Sequence, residues 1–201
     1  MEVNRRKDKY IDRAIAVLKQ DGLRLSLDEI AAKMGVAKKT LYNHFSSKDE
    51  LIKESIRAIS LDFREALSGL DDPDRPSIES LRESFARVGE LFMVVSPVFF
   101  SDLMRGNPSQ AMLEHLVGSD FFQRKILSNL RQGIAEGVFR EDLDVEFVST
   151  YMSYSIFGFY INGIVHGNAP VTSSYFEEVL EYHLRAITTA KGRQVVDSSH
   201  E

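Results

Sequence analysis

Apolar residues recur along most of this chain at intervals of three and four, and the strict alternation of a half-buried strand is nearly absent. Ile11, Ala14, Ile15 and Leu18 stand at i, i+3, i+4 and i+7 and predict a first helix that stops at Gly22. Ser26 opens a short second helix carrying Leu27, Ile30, Ala31 and Met34. Glu29, three residues after the serine, completes a capping box, and Gly35 ends the helix. A third helix is predicted near Lys38–Phe45, pinned by Leu41 and Phe45 one turn apart. Ser47 with Glu50 repeats the box and starts a long fourth helix, along which Leu51, Ile52, Ile56, Ile59, Phe63 and Leu67 run toward Gly69. Asp71–Ser77, with Pro73 and Pro76, reads as a linker that leaves the next helix free to shift against the fourth. Further helices are predicted near 78–95, 97–105, 109–117, 120–136, 144–166 and 173–190, and the polar tail from Lys191 is expected to fray. The expected class is all-α. A three-helix unit over 1–47 precedes a helical body over 48–201, joined by the helix at 48–69.

With 201 residues and 43% hydrophobic content the chain can bury a sizeable core. It has no cysteine, which excludes disulfides, thiolate zinc sites and cysteine nucleophiles and fits a reducing compartment. Glu2, Asn4, Arg5, Arg6 and Lys7 follow Met1 with no apolar core of a signal peptide behind them. The most apolar stretches, Leu91–Phe100 and Ile156–Val165, are too short or too interrupted to cross a bilayer. The expectation is a cytoplasmic protein with no membrane partner. A net charge of −5 argues against a nucleic-acid partner until its distribution is considered. Residues 1–53 hold 12 Lys/Arg against 8 Asp/Glu, and the remainder 13 against 22. A basic head on an acidic body is the asymmetry expected when only the head meets phosphate, although a solvated helical face gives the same excess.

The three N-terminal helices, joined by tight turns, have the spacing of a helix-turn-helix, whose second paired helix lies in the DNA major groove. Ala31 is small at the helix crossing, Gly35 makes the turn and Val36 fills the space beneath it. The run from Ile30 to Leu51 resembles the DNA-binding signature of the TetR family of bacterial transcriptional regulators. The resemblance lies in Ile30-Ala31 with Gly35-Val36, in Thr40-Leu41-Tyr42-Asn43-His44-Phe45, and in Ser47-Lys48-Asp49-Glu50-Leu51. It covers about the first quarter of the chain; the rest is similar in helix pattern and length only. Two positions depart from the pattern. Ala37 stands where the family usually has a Ser or Thr cap, a loss of about 1 kcal/mol at the helix end, and Lys19 stands where Phe is frequent.

Candidate roles follow from side-chain chemistry. Lys38, Lys39 and Thr40 lie at the N-terminal end of the recognition helix, the end that approaches bases and phosphates. A lysine can donate to guanine O6 or N7, and Asn43 carries the donor–acceptor pair that reads adenine. Tyr42, Lys48 and the first backbone amides of the fourth helix suit phosphate oxygens, a role the resemblance also implies for those two side chains; His44 suits a phosphate or a base edge. The competing reading has Tyr42 and His44 covering the unit's own core and the lysines merely solvated.

For the body, the resemblance implies an apolar ligand cavity and a homodimer built by the last two helices. The cavity candidates are Phe85, Phe92, Phe99, Met104, Met112, Phe121, Tyr151 and Asn162, set against the alternative that such aromatics are simply core. Dimer candidates are the small residues Ser155 and Gly158, with Ser153, and the stripe Phe176, Leu180, Leu184 and Ile187, which needs a partner surface. Asn162 and His166, one turn apart, need polar partners from a ligand, a buried water or an interface. His115 and His183 are isolated, so no metal is expected, and no cofactor. There is no His-Glu-x-x-His, phosphate loop or Gly-x-Ser-x-Gly elbow, so no catalytic residues are expected. The expected function is a DNA-binding transcriptional regulator, a repressor released from operator DNA by a small apolar or aromatic effector. The alternative is a helical protein-interaction module whose lysines dock on an acidic protein.

Overall fold

The computed structural model describes residues 2–105, 120–166 and 174–198, within which the chain is helical with no strands. It forms two compact units, Met1–Asp62 with Phe92–Leu116, and Phe63–Leu91 with Val117–Glu201. The boundary expected at residue 47 therefore falls inside the first unit, which takes in most of the fourth helix. Among the described residues no helix is long and apolar enough to cross a membrane.

In the first unit, α1 (Glu2–Asp21) buries Ala14, Ile15 and Leu18, the stripe its periodicity predicts. It stops at Gly22, whose φ of +84° is costly for any residue with a Cβ. A Cβ there would also collide with an Asp102 carboxylate oxygen. That carboxylate, on α6 (Pro97–Arg105), accepts the Leu23 backbone N–H at 3.0 Å and pairs with Arg24 at 2.8 Å. One buried acid thus fixes the turn between α1 and α2 (Leu27–Lys33). Lys19 is nearly buried, 3.6 Å from Asp62.

The next helix, α3, covers Lys38–Tyr42 and is shorter than the expected run to Phe45. Its N-cap Ala37 makes no side-chain bond. At the other end the amides of His44 and Phe45 both turn back to the Leu41 carbonyl at 3.0 Å, while Leu41 and Phe45 are wholly buried. Burying both side chains tightens this end into a turn. Then α4 (Lys48–Ala66) begins at the predicted Ser47–Glu50 pair. Ser47 Oγ accepts the Glu50 N–H at 3.1 Å, and the Glu50 carboxylate accepts the backbone N–H of Ser46 at 2.8 Å.

In the second unit a 3-10 turn (Ser68–Asp71) leads toward α5 (Ser77–Val94). The expected free linker between them is tied down by α7 (Phe121–Ala135). Buried Asn129 donates to the Leu70 and Ser77 carbonyls, each at 3.0 Å. Gln132 donates to the Arg75 carbonyl at 2.7 Å, Lys125 pairs with Asp71, and Ser77 Oγ donates to Glu136 at 2.7 Å. The unit continues with α8 (Val145–His166), α9 (Tyr175–Ile187) and α10 (Ala190–Ser198). The expected single helix to 190 and frayed tail are thus replaced by a break and a further helix. At the break Thr189 N–H bonds the Val138 carbonyl and Arg140 N–H the Ile187 carbonyl, at 3.0 and 2.9 Å. Val196 of α10 is wholly buried and its carbonyl accepts from Arg82 at 3.0 Å.

Candidate nucleic-acid interface

Two local devices fix α2 and its turn into α3. Ser26 Oγ accepts the Glu29 N–H at 3.2 Å while the Glu29 carboxylate accepts the Ser26 N–H at 2.7 Å, so the predicted capping box is complete. These bonds hold the Glu29 carboxyl below the usual carboxylate range. At the other end of α2, Gly35 at φ +64° turns the chain, and the Val36 amide bonds the carbonyl of buried Ala31 at 3.0 Å. With Leu27, Ile30, Met34, Leu41 and Phe45 all buried, α3 is fastened from beneath and its opposite side faces solvent.

On that side lie Lys38, Lys39, Tyr42 and Asn43, all exposed, with Thr40 half-buried beside them. Lys39 and Asn43 are one turn apart, and Asn43 is the C-cap of α3. Lys38 and Tyr42 form a second pair, with the ammonium 5.7 Å from the ring centroid. Both meet Asp28 of α2: the Lys38 ammonium is ion-paired to its carboxylate, and the Tyr42 hydroxyl donates to it at 3.5 Å. Lys48 is half-buried in the first turn of α4. His44 is half-buried, its ring 4.5 Å from that of Tyr10, so it packs on α1 beside the exposed row. Sequence reasoning missed Asp28 and Tyr10. The signal for Asp28 was an extra acid in the first turn of α2, next to the glutamate already assigned to the cap.

The body candidates are distributed over both units. Phe92 and Phe99 are buried in the first unit, whereas Phe85, Phe121 and Tyr151 belong to the second. Phe85 is core, 6.2 Å from the Phe122 ring. Phe121 is half-buried under the cations of Arg64 and Lys125, at 4.5 and 5.7 Å. Tyr151 is exposed, its ring stacked on that of Phe147 and 5.7 Å from that of His183. Met112 lies outside the described residues, as do the side chains of Met104 and Asn162.

The expected dimer stripe is also corrected. Phe176, Leu180, Leu184 and Ile187 are buried within the chain's own second unit, so their partner surface is intramolecular. Ser155 faces inward as well, its Oγ 3.4 Å from Nε2 of buried His183. The surface of the same helices carries a different set. Phe147, Tyr151, Tyr154 and Gly158 are exposed at intervals of four, three and four on α8, and Tyr182 is exposed on α9. A Cβ added at Gly158 would meet nothing within 4 Å.

Residues 11–55 match the family model described as bacterial regulatory proteins, tetR family. The HTH-type transcriptional repressor KstR2 of Mycobacterium tuberculosis is 30% identical over 162 residues, covering 75% of this chain and 78% of that protein. The KstR2 of Mycolicibacterium smegmatis is 26% identical, covering 73% and 74%. Among solved structures, the chain resembles SmeT, the repressor of the Stenotrophomonas maltophilia multidrug efflux pump SmeDEF, with a TM-score of 0.69 at 18% identity over 92% of this chain and 91% of that one. It also resembles the ketosteroid transcriptional regulator KstR2 of Mycobacterium tuberculosis, with a TM-score of 0.59 at 24% identity over 92% and 95%. The capping box, the glycine turn and the exposed face of α3 lie inside the matched segment, and the likeness to KstR2 extends over most of both chains. The chain belongs to the TetR family of bacterial regulatory proteins, and it is a DNA-binding transcriptional regulator.

Proposed function

We propose that this protein is a cytoplasmic repressor that binds operator DNA as a homodimer and is released by a small apolar or aromatic ligand. The observation that carries the DNA reading is the exposed face of α3, where Lys38, Lys39, Tyr42 and Asn43 stand on a buried base of Leu41 and Phe45. In the proposed complex α3 enters the major groove, Asn43 reads adenine and Lys39 or Lys38 reads guanine. Tyr42 and Lys48 take phosphates, which fix register without reading sequence. One five-residue helix reads few base pairs, so specificity requires two half-sites and a dimer. The proposed dimer face is the exposed row Phe147, Tyr151, Tyr154 and Gly158 with Tyr182, whose rings otherwise stand in water.

The ligand proposal rests on family and on the second unit. The similar protein KstR2 is described as a ketosteroid transcriptional regulator, and an apolar effector suits a body whose apolar core includes Phe85, Phe122, Phe139 and Phe176. The bonds from α7 to the segment between α4 and α5 offer a route. A ligand that favours a displaced α7 would pull on Leu70, Arg75 and Ser77 together. Coupling of this kind is commonly about 1–3 kcal/mol and is reciprocal between ligand and DNA.

Anisotropy titrations with an operator selected from a randomised duplex library test the DNA reading. Affinity should fall steeply with salt on mixed-sequence DNA, and Asn43→Ala should cost roughly 1–3 kcal/mol on the operator while relaxing one base position. Salt-insensitive binding to mixed DNA would refute the reading in favour of an interaction module.

A further inference from the structure

We infer that Asp28 is a specificity-determining residue of the DNA interface: it engages the Lys38 ammonium, and so withholds it from phosphates of non-cognate DNA. The inference rests on the DNA-binding reading of α3 given above.

Asp28 lies in the first turn of α2, in the segment that meets the backbone of DNA when α3 is in the groove. A carboxylate there opposes phosphate, so its presence among candidate contacts calls for a physical account. The geometry supplies one. Its Oδ2 takes the Lys38 ammonium and its Oδ1 is 3.5 Å from the Tyr42 hydroxyl, so one carboxylate engages two of the side chains expected to meet DNA. The Lys38 ammonium also lies over the Tyr42 ring, which closes a three-membered cluster spanning α2 and α3. The hydrogen bond it donates to Asp28 holds the Lys38 ammonium above the usual lysine range, so the cation stays charged at any working pH.

The consequence differs between cognate and other DNA. An ammonium has three donors. It can keep Asp28 on one and offer another to a base acceptor at the position the carboxylate fixes, which suits a guanine O6 or N7 at one place in the groove. A phosphate on non-cognate DNA lies wherever the backbone happens to fall. To reach it, Lys38 must leave Asp28, and an unneutralised carboxylate then faces the polyanion. The pair therefore taxes phosphate-only binding and spares base reading, which widens the gap between operator and bulk DNA. An exposed pair contributes modestly, so the expected factor is about two- to fivefold per half-site.

The experiment measures wild type, Asp28→Asn, Lys38→Ala and the double variant on two duplexes, a library-selected operator and a mixed-sequence duplex of equal length, across a salt series. Melting curves confirm that each variant is folded. Asp28→Asn should tighten mixed-sequence binding about two- to fivefold per half-site and steepen its salt dependence by about one unit per half-site, with little gain on the operator. In the Lys38→Ala background the bare Asp28 carboxylate opposes both duplexes, so Asp28→Asn should tighten both about equally and its discrimination between them should vanish. Equal tightening on both duplexes with Lys38 in place, or undiminished discrimination without Lys38, would make Asp28 a simple repulsive charge and overturn the inference. If Lys38→Ala alone changes neither affinity nor salt slope on either duplex, the DNA-binding assignment of Lys38 fails, and the role of Asp28 fails with it.

Discussion

Replacing Asn129 with alanine should destabilise this protein by more than any surface change in the same helix. The side chain is wholly buried on α7 and its amide nitrogen donates to two backbone carbonyls, Leu70 and Ser77, both at 3.0 Å. With two acceptors facing it, the amide has only one sensible orientation, nitrogen toward the carbonyls. Alanine removes both bonds and leaves a small void. Lost hydrogen bonds of this kind cost about 1 kcal/mol each, and a buried carbonyl left short of a donor adds about 1–3 kcal/mol, giving roughly 3–5 kcal/mol in total. For a chain of this size that lowers Tm by roughly 6–20 °C. Asn129→Asp keeps the volume but turns an acceptor toward two acceptors, so at neutral pH it should be worse than alanine. Burial against carbonyls raises the pKa of the introduced acid above its unfolded value. Its neutral form can donate one bond, so part of the loss should return as pH falls and disappear as pH rises through that raised pKa. Thermal and urea unfolding at one fixed protein concentration would measure both. An alanine variant within about 0.5 kcal/mol of wild type would refute the assignment of Asn129 as the tie that holds the segment between α4 and α5.

Four further outcomes are expected. Tyr154→Glu with Phe147→Glu should shift the protein toward monomer by at least about tenfold in dimer Kd, read by sedimentation, while leaving the monomer folded because both side chains are exposed; Leu180→Ala should instead unfold it more easily, by about 2–5 kcal/mol. Gly22→Ala should lower stability by about 1–3 kcal/mol in urea unfolding, because φ is +84° and the new Cβ collides with the Asp102 carboxylate. Ala37→Ser should raise stability by about 0.5–2 kcal/mol by restoring a side-chain cap to α3, measurable as a higher urea midpoint.

The helices and most of their ends were legible because the signals that set them are local. The stripe of Ala14, Ile15 and Leu18, the box of Ser26 and Glu29, and the glycines at 22 and 35 act within one or two turns of chain. What was not legible depends on residues far apart in sequence. The tail looked polar because only Val195 and Val196 mark it as apolar. It folds as α10 because Lys191 reaches the Glu136 carbonyl at 2.7 Å, Gly192 fits against Val138, and Arg82 holds the Val196 carbonyl. The linker looked free because proline and aspartate favour turns, yet its carbonyls are met by amides from α7, more than fifty residues on.

The dimer stripe was misread for a related reason. Periodicity identifies a face that needs covering, and both covers, the chain's own core and a second copy, satisfy the same pattern. On α9 the apolar stripe Phe176, Leu180, Leu184 and Ile187 is covered from within. On α8 apolar residues lie on nearly every side, so periodicity could not separate buried Met152 from exposed Tyr151 and Tyr154. Side-chain chemistry separates them afterwards. Methionine and leucine have nothing to offer water, whereas a tyrosine keeps its hydroxyl hydrated and its ring available for a partner. An exposed glycine in the same row, Gly158, removes the side chain that would hold a neighbouring helix away. For a helix that is apolar all round, rings with a polar tip in register with a glycine are therefore better candidates for the subunit contact than the most hydrophobic stripe.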